Sequence, residues 1–154
     1  MRRKGRVCAL QILYQLDLGR HLEGVGPSST VINEAIERYW SSFGIVSAGD
    51  RGFAERLVRG VAGRLDAMHR AIADVSHNWR LERMDKVDRN VMRIAAYEIL
   101  YCPDIPKAAS INEALEIAKS YSGQDSAAFI NGVLDKLAKS ADDATTPLNE
   151  NIEA

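Results

Sequence analysis

The stretch from residue 120 to 139, SYSGQDSAAFINGVLDKLAK, decides between a hairpin and a helix. Asn131-Gly132 is a strong signal for a tight turn between two strands. Against it, Phe129, Ile130, Val133, Leu134 and Leu137 pass through the pair at three- and four-residue spacing, the period of a buried helical face. The spacing predicts a helix over about residues 125–139. Gly132 then costs that helix about 1 kcal/mol relative to alanine. Either another helix backbone passes close by, with Asn131 bonding across the crossing, or the glycine is simply tolerated on the surface.

Outward from this stretch the pattern stays helical, with no alternating strand. The first helix is expected over 2–19, with Ala9, Leu10, Leu13 and Leu16 inward, and the glycine-rich HLEGVGPSST is a loop. Val31, Ile32, Ala35, Ile36, Tyr39, Trp40 and Phe43 mark a second helix. Asp50 is the expected N-cap of a third, whose stripe runs from Phe53 to Ile72. HNWRLERMD reads as a short helix or turn. A helix opening at Asp85 ends near Tyr101, because Pro103 and Pro106 forbid its continuation. Ser110 and Glu113 form a capping box for the next, which stops at Gly123.

The 154 residues fit one domain or two small helical subdomains sharing a core. The basic-then-apolar N-terminus lacks a signal peptide's uninterrupted apolar run and small-residue cleavage site. Cys8 and Cys102 are too few and too far apart for a disulfide framework or a zinc site, and read as reduced, buried thiols of a cytoplasmic protein. His21, His69 and His77 belong to no recognisable motif. No phosphate loop, dinucleotide fingerprint, zinc-protease motif or nucleophile elbow is present, so nothing asks for an enzyme or a cofactor.

Charge is more telling. The net charge of −1 conceals a local +4 from Arg2, Arg3, Lys4 and Arg6, and a −4 from Asp142, Asp143, Glu150 and Glu153 in the last fifteen residues. The basic cluster is either a phosphate-binding rim or a frayed, solubilising terminus. Tyr121, Ser122, Gln124 and Asp125 gather at a helix junction, where free N–H groups and a ring suit single-stranded nucleic acid. Phe129 is either a second ring or core. The helix VDRNVMRIAAYEILYC carries two apolar arcs. It is either buried on both sides, or its Met92 arc, bordered by Asp88 and Arg89, receives a protein. Glu98 falls in the first arc and is expected to accept backbone N–H groups from a helix start.

The runs VDRNVMRIAAYEIL and DIPKAASINEALEIAKSYSGQDSAAFINGVLDKLAK resemble the C-terminal half of the NusB family of transcription antitermination factors. RRKGRVCALQILYQLD resembles that family's arginine-rich first helix. The resemblance covers residues 2–139. It implies an all-α fold of about seven helices in two small bundles packed across each other, about 1–75 and 76–139; the acidic composition of 140–154 reads separately as a disordered tail. The resemblance also implies a non-enzymatic, cytoplasmic role without a cofactor or a membrane. That role is to bind boxA RNA of nascent ribosomal RNA leaders together with ribosomal protein NusE, joining NusA, NusG and RNA polymerase.

By this resemblance Arg2, Arg3, Lys4 and Arg6 match the basic arm that approaches RNA, and Tyr14, Tyr121, Ser122, Asp125 and Phe129 match the same surface. Asp88 and Arg93 match the helix that meets NusE, beside Arg89 and Met92. The resemblance leaves monomer and homodimer both open when NusE is absent. Two departures stand out. The arm is short, with Gly5 loosening its first turn so that it orders only on RNA, and the acidic tail matches no family motif. Alternatives are an RNA-docking module of a ribosomal RNA cytosine methyltransferase, whose catalytic α/β domain is not in this chain, and a purely protein-binding scaffold.

Overall fold

The computed structural model describes residues 2–76 and 81–153, with side chains described as far as residue 143. Among these described residues are seven α-helices: α1 (Arg3–Leu18), α2 (Ser29–Ser42), α3 (Ala48–Gly63), α4 (Leu65–Ser76), α5 (Lys86–Tyr101), α6 (Lys107–Tyr121) and α7 (Gln124–Glu153). A single 3₁₀ turn, Leu81–Arg83, precedes α5, and no strand occurs among the described residues. The all-helical expectation therefore holds. His77 to Arg80, including half of the expected HNWRLERMD turn, lie outside the described residues.

Helix α5 is the central element. Every residue from Val91 to Ala96 is buried, and Met92 and Ala96 have no exposed surface. Its two apolar arcs are explained by burial on both sides rather than by a vacant docking face. One apolar core runs continuously from Cys8 on α1 to Ala138 on α7, so the two halves share their interior.

Several local expectations need correction. The third helix is two: Arg64 leaves helical geometry at φ −133°, ψ 24°, and separates α3 from α4. Ser47, not Asp50, caps α3; its Oγ accepts the Asp50 N–H at 3.1 Å. Asp85 does cap α5, accepting the Asp88 N–H at 2.8 Å. Helix α6 begins at Lys107 behind Pro106, so Ser110 and Glu113 lie inside it and form no capping box. Glu113 instead takes Arg3 of α1, and Ser110 donates to Glu98 of α5, as shown below. Helix α7 does not stop at Lys139 but continues to Glu153. Ala141 packs against the core and Asp142 meets Lys107 at 3.0 Å, which carries the helix past the expected end.

The glycine in the middle of α7 has the bland explanation. A Cβ on Gly132 would meet nothing within 4 Å, and Asn131 is exposed. The close helix crossing is at Gly5 of α1, where a Cβ would come within 3.0 Å of the Asp50 carbonyl oxygen and of the Phe53 ring on α3. Gly5 thus fits α1 against α3; it does not loosen the arm.

Candidate nucleic-acid interface

Helix α1 begins without a side-chain cap, so its first N–H groups and its cations face the same end of the molecule. Arg2, Arg3 and Lys4 are exposed there. Arg3 leans on Glu113 of α6 at 2.7 Å. Arg2 lies over the Phe53 ring at 4.6 Å and reaches Asp104 at 4.0 Å. Asp104 is chiefly held by Arg56, whose two hydrogen bonds of 3.0 and 2.8 Å keep its carboxyl down at about 2. Lys4 meets no carboxylate among the described residues.

Sequence groups Arg6 with these cations, and the structure separates it. Only 4% exposed, it donates from Nε and Nη2 to Glu98 at 2.9 and 2.7 Å. Ser110 Oγ donates to the same carboxylate at 2.8 Å. Glu98 is buried as expected, but side chains of α1 and α6 satisfy it, not backbone N–H groups. The physical reason is helical pitch. One turn beyond Arg2, the same azimuth has already passed under α5 and α6. Arg6 is therefore unavailable to a phosphate and instead ties the start of α1 to α5.

The α6–α7 junction supplies the second part of the edge. Tyr121 is half-exposed and Ser122 and Asp125 are exposed. Gly123 adopts φ +104° and returns its N–H to the Ala118 carbonyl at 3.1 Å, closing α6 as expected. From Glu113, beside Arg3, to Tyr121 is about 12 Å along α6, so basic arm and tyrosine mark two ends of one rim. Tyr14 and Gln11 of α1 are half-buried, and Tyr39 of α2 is buried, its hydroxyl donating to Gln11 Oε1. Burial, with Cys8 and Tyr121 nearby, pushes the Tyr39 phenol up. Phe129 is half-buried against the core.

The α5 residues expected to meet a partner are turned inward. Met92 is fully buried, and Asp88 and Arg93 are 7% and 5% exposed. Arg89 and Arg93 converge on Asp17 near the end of α1, with Nε of Arg89 at 2.6 Å and Nη1 of Arg93 at 3.0 Å. Asn90 adds a bond of 2.9 Å. Burial raises the Asp17 carboxyl, yet hydrogen bonds from Arg89 and Asn90 and the charges of both arginines outweigh it and leave it lowered. Arg93 also donates to His69 Nε2 at 3.1 Å, and burial, reinforced by that cation, pulls the imidazole down to about 4. These side chains hold helices together. Only the outer part of Arg89 remains for a partner. Sequence reading misses Asp17, although its place seven residues after Leu10 and four after Leu13 puts it on the buried stripe.

Among the described residues no group of side chains is arranged to hold a metal, and no helix is long and apolar enough to cross a membrane. Fold and surface together give a small all-helical protein with exposed cations at the start of α1 and an exposed tyrosine at the α6–α7 junction. The chain belongs to the NusB family, whose model matches residues 3–139. It is 48% identical over 137 residues to the transcription antitermination protein NusB of Anaeromyxobacter dehalogenans strain 2CP-1, covering 89% of each chain. The NusB of Myxococcus xanthus strain DK1622 is 42% identical over 140 residues, covering 89% of this chain and 94% of that one. A solved structure of T. maritima NusB superposes with a TM-score of 0.74 at 32% identity, covering 90% and 91% of the two chains. The antitermination factors NusB and NusE in complex with double-stranded RNA supply a further neighbour. It has a TM-score of 0.71 at 22% identity and covers 90% and 96%, a likeness of fold.

Proposed function

We propose that this chain is a transcription antitermination factor that binds boxA RNA of nascent ribosomal RNA leaders jointly with NusE, and that the pair acts with NusA and NusG on RNA polymerase. The observation that carries the reading is the rim itself. Three exposed cations stand at an uncapped helix start, held in place by the buried Arg6–Glu98–Ser110 bonds, with Tyr121, Ser122 and Asp125 at its far end. Cations attract the phosphates, and a ring beside free N–H groups holds an unstacked base. Few cations release few counterions, so RNA affinity of the chain alone is modest and NusE raises it by extending the surface. The neighbour in which NusB and NusE are in complex with double-stranded RNA supports a joint role with NusE and RNA. Since Met92, Arg93 and Asp88 are internal, NusE meets other side chains, with Arg89 at their margin.

Co-purification with NusE, followed by a mobility shift with boxA and scrambled RNA, tests the reading. Stable capture and a stronger shift with boxA than with the scramble are expected. If the chain ignores NusE and both RNAs at low ionic strength, the reading falls.

A further inference from the structure

We infer that Phe43, at the end of α2 and stacked on Tyr39, is a stacking platform for one unstacked base of single-stranded RNA. The inference rests on the RNA-binding reading and extends its path onto a residue that neither sequence pattern nor family likeness assigns. Phe43 is 47% exposed, and Ile45 beside it is fully exposed. The ring of Tyr39 stacks on Phe43 with centroids 4.3 Å apart and planes 24° apart. One face of Phe43 is thus already supported, and the other is open to a flat partner. Trp40 meets Tyr39 edge-on at 5.0 Å, and Arg51 lies over Trp40 at 5.0 Å, adding a cation to the aromatic group.

Tyr39 is bonded to Gln11 of α1, and Phe43 stacks on Tyr39, so its ring lies beside the contact of α2 with α1. An exposed ring with one rigidly stacked face, flanked by cations, suits a base better than a helix of a second protein. A base presents a flat apolar face on a charged backbone, whereas a helix would need a broader apolar groove.

The test uses the full chain and a 12-nucleotide single-stranded boxA RNA carrying 2-aminopurine at successive positions. Wild type and Phe43→Trp are expected to quench one position on binding. Phe43→Leu loses that quench and binds about tenfold more weakly, with an unchanged salt slope because no charge is removed. An unaltered urea midpoint shows that the leucine variant is folded. Phe43→Leu binding with wild-type affinity and quench overturns the inference and leaves the RNA reading intact. A wild-type chain that does not bind the RNA overturns both. If Phe43→Leu instead converts a sedimenting dimer to monomer with RNA binding unaffected, the ring belongs to a second copy and the inference also fails.

Discussion

The two ends of α1 use the same residue type for opposite purposes. At the C-terminal end, Arg89 and Arg93 surround a carboxylate that is 2% exposed, and their charges are consumed inside the molecule. At the N-terminal end, one arginine, Arg6, is consumed in the same way by Glu98, while Arg2, Arg3 and Lys4 remain outside. Burial, not residue type, decides which cations build the frame and which remain for a ligand.

Stability measurements break or sharpen that contrast most strongly. Asp17→Ala leaves two buried guanidinium groups without their carboxylate, and Arg6→Met strands Glu98. Each is expected to lower the unfolding free energy by about 3–5 kcal/mol in urea titrations. Arg2→Ala or Lys4→Ala should change it by no more than about 0.5 kcal/mol. A decrease below about 1 kcal/mol for Asp17→Ala would show its cluster to behave as a surface pair.

A pH titration examines the buried end separately. The His69 imidazole is lowered to about 4 in the folded chain, so the unfolded chain binds the extra proton first. Its contribution to stability is complete above the ordinary histidine value near 6.5 and is lost as pH falls toward 4. The melting temperature should decline across that window, and His69→Gln should flatten the decline. An unchanged profile in the variant would assign the acid sensitivity to other groups.

Smaller effects than at the buried carboxylates are expected from glycine. Gly132→Ala should stabilise the protein by up to about 1 kcal/mol, because its Cβ enters open space in a helix. Gly5→Ala should destabilise it, because the Asp50 carbonyl and Phe53 ring are already at 3.0 Å. Equal outcomes for the two would remove the close crossing of α1 and α3 at the basic end.

The same positions show how far sequence reading reaches. Helical spacing is sufficient for the number and type of most elements, and Asp85 and Gly123 mark their termini correctly, since caps and left-handed residues act locally. Ser110 and Glu113 mislead because their chemistry suits a cap, yet tertiary bonds claim them: Glu113 accepts from Arg3, and Ser110 donates to Glu98. Sequence assigns Arg6 and Met92 to ligands because a helical wheel gives azimuth but not what lies opposite. Phe43 reads as a member of the α2 stripe, and only the observed end of α2 at Ser42 explains its exposure.

The central claim is that the exposed cations at the start of α1, and not the buried ones, bind RNA. A fluorescence titration of boxA RNA over a range of salt concentrations tests it directly, comparing wild type with the combined Arg2→Ala, Arg3→Ala and Lys4→Ala variant. Affinity should fall more than tenfold at low salt, and the log–log salt slope should flatten by about 2, at roughly 0.7 for each phosphate no longer neutralised. Equal affinity and an unchanged slope in the folded triple variant would contradict the account.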